Sequence, residues 1–435
     1  MGAVTLTTDI WTSRRTQAFI TVTAHFMSPA WELMSCVLET PRIAEAHTAA
    51  NIAVILAEVM ENWRIRDKVV AIVTDNASNM VAAIEQLKIR HMPCFAHTLN
   101  LVVTDTLAAV TGFQATRKKV KDIVSFFHHS VKGSDVLAKV LEQAGSQPLK
   151  LINEVETRWN SCHDMLKRYN DLHPQVTTAL CLVGRETMLI TQSEVEVIQA
   201  VIAALGPFEE VTREMSSEKM TTVSKVIPLI RVLQDILKDL TNRPCIGGSV
   251  AKELLQQLNR RFASPETKYL WAASTYLDPR FKKHAFSDGS ALQAMQDRLK
   301  GQLRPVEEEE TSTAEVEPTP VAADNSSIWT RFDSKISSFL QTTSTPGVRP
   351  NLEMRRYAEE NPISRKQDPL EWWRKHSSLM PQLQEIAKKF LCCPATSVPS
   401  ERVFSATGEL VSHRRSNLTE ENVNMIIFLN KNTFL

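Results

Sequence analysis

The sequence predicts a mixed α/β architecture: a sheet from residues 1–80, then a long and mainly helical region. Three observations carry that reading. Residues 4–11 are rich in β-formers, and residues 18–27 are rich in Thr, Val, Ile and Phe and alternate as a half-buried strand does. Residues 48–65 change period, with Ile52, Ile55, Leu56, Val59 and Trp63 on one helical stripe. The run KVVAIVT at 68–74 then reads as a short buried strand. With a third strand at 31–38, the order is βββαβ. That order implies antiparallel strands first and a crossover helix returning the chain to the sheet.

Thr48 is placed to cap the crossover helix. From residue 96 to 299 the spacing is mostly helical, clearest at 195–205, 223–240 and 250–262. Pro207, Pro228, Pro265 and Pro279 are expected to punctuate these helices. Residues 306–327 differ in kind: four consecutive glutamates at 307–310 and then Thr, Ser, Pro and Ala read as an acidic linker. Residues 372–391 return to helical spacing through Leu379, Leu383, Ile386 and Phe390, with Pro381 breaking or restarting the helix. Ser400 is placed to cap a helix opening at Glu401, and Thr419 a last one beginning with Glu420 and Glu421.

Composition narrows the function classes. The chain has 435 residues, 43% hydrophobic and 23% charged, which suits a soluble globular core of two or three domains or one core with a large insertion. Fifty Lys and Arg against 49 Asp and Glu leave a net charge of +1, which excludes a globally basic nucleic-acid coat but not local patches. No run of roughly 20 apolar residues is present to span a membrane. No secretory leader is visible at the N-terminus. Seven scattered cysteines without a Cys-x-x-Cys pair argue for a reducing compartment and against a disulfide scaffold or zinc finger.

Two carboxylates stand out by position. Asp9 ends one expected strand and Asp75 another, so both fall at a sheet rim where ligands bind. Rim carboxylates of this kind can hold two Mg²⁺ ions about 3.5–4 Å apart, the arrangement that clamps a phosphodiester during displacement. Aspartates at strand ends also serve as turn formers and helix caps.

The strings TLTTDIWTS (5–13), VTDNASNM (73–80), CFAHTLNLVV (94–103), ETRWNSCHDML (156–166), LGPFEEVT (205–212), YLDPRFK (276–282) and the stretch from ATSVPSERVFS (395–405) to residue 432 occur in this order. Together they resemble the catalytic core of hAT-superfamily DNA transposases, and of the BED-type zinc-finger proteins descended from them. The resemblance implies a ribonuclease-H-like mixed sheet interrupted by a large, mainly α-helical insertion, with a C-terminal hAT dimerisation region. On this sequence the parts are expected at 1–110, at 111–360 (including the acidic linker) and at 361–435. The resemblance also implies an Asp-Asp-Glu site of Asp9, Asp75 and Glu401 holding Mg²⁺ or Mn²⁺ for DNA strand cleavage and transfer.

It further implies DNA-binding roles for Cys94 and His97 in CFAH, for Arg158 and Trp159 in ETRW, and for Arg402 beside Glu401. Trp159 matches a tryptophan associated with stacking on a flipped base. The residues themselves leave alternatives open: core packing for Cys94, a capping or hydrogen-bonding role for His97, helix packing for Trp159 and an ion pair for Arg402. The last helix carries Val423, Met425, Ile426, Ile427, Phe428 and Leu429, so it needs burial in its own core or in a partner. Family members usually carry an N-terminal BED finger, and that finger is expected to be absent from this chain. The expectation is a nuclear, homodimeric, DNA-binding protein with a metal-dependent site. The alternative is a domesticated, catalytically silent dimerisation and transcription-regulatory module.

Overall fold

The computed structural model describes residues 2–13, 16–110, 112–147, 149–155, 158–217, 220–242, 246–303, 348–400, 402–403 and 420–432. The sheet comes first. Strands β1 (Val4–Thr12), β2 (Ala18–Met27) and β3 (Leu33–Glu39) form an antiparallel meander, and the short β4 (Arg42–Ile43) also pairs with β2. Helix α1 (Ala49–Asn62) crosses over to β5 (Val69–Thr74), which runs parallel to β1. Helix α2 (Ser78–Gln86) leads to β6 (His91–Pro93), parallel to β5. The strand order β3-β2-β1-β5-β6 puts β1 and β5 at the centre. The expected βββαβ order is therefore observed, extended by α2 and β6.

Alternation along the strands makes two buried faces. Val4, Leu6, Ile20, Val22 and Ile72 pack on Ile52, Leu56, Val59 and Met60 of α1 and on Met80, Ala83 and Ile84 of α2. Thr48 caps α1 as expected, its hydroxyl accepting from the Asn51 amide. The opposite face, with Ala71, Val73 and Met92, meets the helical part of the molecule. That part comprises α3 (Phe95–Ala109), α4 (Phe113–His129), α5 (Val131–Gln143), α6 (Trp159–Asp171), α7 (His173–Leu182), α8 (Gln192–Met215), α9 (Val226–Thr241), α10 (Ile246–Arg261), α11 (Tyr269–Leu277) and α12 (Gly289–Lys300).

Two expectations about punctuation need correcting. Pro207 does not end a helix; it lies inside α8. A proline there removes one backbone bond at about 3 kcal/mol, but Val201, Ala204, Leu205, Phe208 and Val211 are buried on both sides of it and hold the helix together. Ser400 does not cap a helix opening at Glu401, because residues 398–400 are already helical, and its hydroxyl turns to β1 instead. Pro381 behaves as expected: α14 (Pro369–His376) ends before it, and α15 (Pro381–Leu391) restarts with it in its first turn. The acidic linker and Thr419 lie outside the described residues.

The C-terminal part returns to the sheet. Helix α13 (Val348–Glu359) and α15 pack beside α11, and α16 (Glu420–Lys431) covers β3. Val403, Val423 and Ile427 bury themselves against Phe19 and Val37. The Asn432 amide bridges the Val37 backbone in both directions, and Asn424 accepts from the Thr40 amide. These side chains satisfy backbone groups of an edge strand that otherwise invites pairing with another chain. The expectation that the last helix is apolar all round resolves into two faces: Val423 and Ile427 point inward, while Met425 and Leu429 are 58% and 61% exposed. Among the described residues, no helix is long and apolar enough to cross a membrane.

Candidate active site and nucleic-acid interface

The carboxylates come first, because backbone register places them. Between β1 and β5 the paired residues are Thr5 with Ala71, Leu6 with Ile72 and Thr7 with Val73. Each pair is 66 apart in sequence, and the same interval separates Asp9 from Asp75. Parallel strands keep register-matched side chains on one face. Two residues beyond the last ladder pair, Asp9 near the end of β1 and Asp75 one residue past the end of β5 fall at the same interval, towards the carboxyl ends of the two central parallel strands. Both are half-buried. Asp9 Oδ1 accepts from the Ile10 amide at 2.9 Å, and Asp75 Oδ1 from the Ala77 amide at 3.2 Å. The Thr74 hydroxyl donates to the Asp75 carbonyl at 2.7 Å and contacts His91 Nε2 at 2.9 Å, which fixes the turn carrying Asp75. Burial lowers His91, against the pull of Asp75, so an uncharged imidazole is favoured behind the carboxylate.

Glu401 lies outside the described residues, but its chain neighbours are placed. Ser400 Oγ sits 2.8 Å from Thr7 Oγ1, two residues before Asp9 on the same face of β1. Thr7 Oγ1 also meets His25 Nε2 at 3.0 Å. Cys393 Sγ lies 2.7 Å from Thr5 Oγ1 on that face. The C-terminal segment thus returns across hundreds of residues to the strand that bears Asp9. Thr7 lies inside the TLTTDIWTS string without being singled out there, and His25 falls in none of the strings, so sequence reasoning passed over this contact.

His25 is buried, and burial alone pulls it down to about 3 from its ordinary 6.5. Its neutral form therefore contributes stability that is complete above pH 6.5 and is lost as pH falls from 6.5 towards 3. By pH 5 the loss is about 2 kcal/mol. Denaturant unfolding from pH 7 to pH 5 should show that slope for the native chain, and a His25→Gln variant should lack it.

The DNA-binding candidates divide by burial. His97, Arg158, Trp159 and Arg402 all line one cleft of about 630 Å³, together with Asn100, Asp164 and Ser216. The cleft joins the first turn of α3, the start of α6, the end of α8, Val398 and Arg402. Arg158 and Arg402 are exposed. Arg402 donates to the Ser216 carbonyl at 2.9 Å, which ties it to the end of α8. Trp159 is only 4% exposed; its amide donates to Asn100 Oδ1 and its ring meets His163 edge-on. Helix packing is therefore its role in this structure. Cys94 is fully buried, and its Sγ accepts from the amides of His97 at 3.4 Å and Ser397 at 3.3 Å. Its contacts are those of core packing, the alternative the sequence left open, together with capping of α3. Asn100 and Asp164 lie inside the CFAHTLNLVV and ETRWNSCHDML strings without being singled out there, and Ser216 falls in none of the strings.

Mg²⁺ and Mn²⁺ take hard oxygen ligands. Asp9 and Asp75 supply oxygen donors of that kind on adjacent strand ends. Among the described residues no group of three His, Cys, Asp or Glu side chains forms a metal cage, and the third expected carboxylate lies outside them.

A mixed sheet in the order found here, with its two aspartates on central parallel strands and a helical region leading back to a C-terminal helix, defines a ribonuclease-H-like core with a helical insertion. Comparison with known proteins matches residues 7–97 to the ZBED1 RNase-like domain, 92–204 to the ZBED1 RNase-like helical domain and 353–433 to the hAT family C-terminal dimerisation region. Relatives run the length of the chain. Zinc finger BED domain-containing protein 4 of Homo sapiens is 27% identical over 99% of this chain and 37% of its own length. Putative AC transposase of Zea mays is 26% identical over 97% and 55%, and zinc finger BED domain-containing protein 6 of Homo sapiens 26% over 98% and 48%. Together these similarities support a hAT-type, transposase-derived protein. It spans between about a third and just over half the length of these relatives.

Proposed function

We propose that this chain is a nuclear, homodimeric, DNA-binding core in which Asp9 and Asp75, completed by Glu401, form a Mg²⁺- or Mn²⁺-dependent site for DNA strand cleavage and transfer. The observation that supports the proposal is that Asp9 and Asp75 are separated by the interval of the β1–β5 ladder, with Ser400 bound to Thr7 two residues before Asp9. Divalent cations at such a site activate the attacking oxygen and neutralise charge on the leaving one. The protein's part is to hold the carboxylates, through Thr74 behind Asp75 and through the Thr7–Ser400 contact beside Asp9. Arg158, Arg402 and His97 hold the phosphate backbone in the adjoining cleft.

DNA binding is tested by fluorescence anisotropy with a labelled duplex across a KCl series. Arg158→Gln combined with Arg402→Gln should weaken binding and lower the salt slope by about 1.5, since each lost phosphate contact removes about 0.7–0.9. An unchanged slope contradicts the cleft's role.

Burial of Trp159 favours a second reading, a module that dimerises and binds DNA without cutting it, because a buried ring offers no stacking surface for an extruded base. Metal-dependent cleavage separates the two.

Dimerisation has its own test. Met425 and Leu429 lie one turn apart on the exposed face of α16, and Phe428 tilts on Trp63 at 5.9 Å beside them. Exposed apolar groups inside a dimerisation region suit an interface centre. Met425→Asp with Leu429→Asp should convert a dimer to a monomer in light scattering, with little change in unfolding midpoint. A dimeric variant moves the interface elsewhere.

A further inference from the structure

A second groove begins one residue past Asp75 and contains none of the candidate site residues above. It is lined by Asn76, Thr98, Arg260, Arg261, Phe262 and Trp271, with a volume of about 420 Å³. Asn76 directly follows Asp75, and its amide donates to Thr98 Oγ1 at 3.0 Å. Thr98 is the chain neighbour of His97, which lines the first cleft. The two clefts therefore flank the first turn of α3 from opposite sides.

The groove is positively charged. Arg260 and Arg261, at the end of α10, both donate to the same oxygen, Asp105 Oδ2. Two guanidiniums on one carboxylate leave a net positive charge, and the Arg260 side chain is 61% exposed. Arg261 Nε is buried without a hydrogen-bond partner among the described residues. A buried donor left unused costs about 1–3 kcal/mol, and an incoming oxygen anion recovers part of that. The floor is apolar, with Phe262 and Trp271 at 2% and 5% exposure. Clustered planar donors above an apolar floor suit a phosphodiester.

We propose that Arg260 and Arg261 form a phosphate-backbone station for DNA on the Asp75 side of the site, so that one duplex or its separated strands run from this groove past Asp75 to the cleft of Arg158 and Arg402. This rests on the reading that the chain binds DNA. Asp105 is the group that positions both guanidiniums and also restrains their charge.

The test uses the full chain, a fluorescein-labelled duplex of arbitrary sequence and anisotropy across a KCl series. Arg260→Gln with Arg261→Gln should weaken binding about tenfold and lower the salt slope by about 1.5. Arg260→Lys with Arg261→Lys keeps the charges and should hold the slope near that of the native chain. Asp105→Asn should tighten binding several-fold, an effect that a purely structural ion pair does not produce; Glu142→Gln, a distant exposed acid, sets the baseline for any charge change. If the native chain binds DNA and Arg158→Gln with Arg402→Gln weakens it while the Arg260 and Arg261 variants and Asp105→Asn match the baseline, the station is overturned and the DNA reading stands. If the native chain binds no DNA, both fall. If the double glutamine variant loses a polyglutamate peptide but not the duplex, the groove takes acidic protein segments and the proposal is wrong.

Discussion

Asp75→Asn is expected to remove metal-dependent DNA cleavage by the full chain, a loss of at least about 10²–10³-fold, the scale on which single preorganised electrostatic groups act in catalysis. The substitution keeps shape and removes one charge. The Ala77 amide can still be accepted by the side-chain oxygen, and the Thr74 hydroxyl bonds the Asp75 main-chain carbonyl, which the substitution leaves in place. Unfolding should therefore change little while the affinity for a divalent cation drops. Asp9→Asn is expected to behave alike, because it lies at the ladder interval from Asp75 at the end of the neighbouring strand. The check is a gel assay of nicked duplex with Mn²⁺ as the only variable. Cleavage that persists in both variants at the native rate excludes the pair as the site.

Asp278→Ala is expected to cost about 3–5 kcal/mol of stability, the cost of leaving a buried charge without its partner. Asp278 is fully buried in the sequence LDPRFK. Its carboxylate takes both Nε and the terminal nitrogen of Arg280, at 2.9 and 2.6 Å, and the Ser224 hydroxyl at 2.6 Å. Arg280, 8% exposed, also donates to Thr221. Two residues on, the buried Lys282 donates to the carbonyls of Tyr357 and Glu360 at the end of α13 and lies 4.4 Å from the centre of the Tyr357 ring. A cation on the last carbonyls of a helix is favoured by the helix dipole. Burial holds Lys282 down to about 8, against the pull of the Glu360 carboxylate. One seven-residue motif thus ties the start of α9, the end of α11 and the C-terminal helices together. Asp278→Asn keeps acceptor capacity and should cost less. Replacing Asp278 and Arg280 together by apolar residues should recover much of the loss, and urea unfolding measures all three.

The strands and the crossover helix were legible because alternation and the 3.6-residue stripe are local signals. Residues 18–27 coincide with β2, and Thr48 caps α1 as its type and place imply. β6 was not legible: three residues carry no period, and only pairing with β5 makes His91–Pro93 a strand. Pro207 misled because a local breaker competes with burial on both sides, and burial prevails. The carboxylate pair was legible as two strand ends, but its registration became visible only from the ladder. The cleft joins residues 97, 158–159 and 402, and the groove joins 76, 98, 260–261 and 271; no periodicity connects such positions. Burial of Cys94 and Trp159 likewise depends on what the rest of the chain lays over them.

The most direct measurement is of divalent-cation binding itself, by the electron paramagnetic resonance signal of free Mn²⁺ titrated into the full chain. The account predicts that the native chain depletes the free signal, and that Asp9→Asn and Asp75→Asn each abolish the depletion while unfolding at the native midpoint. Equal depletion by the native chain and both variants, or none by any of them, contradicts a cation site between these two strands.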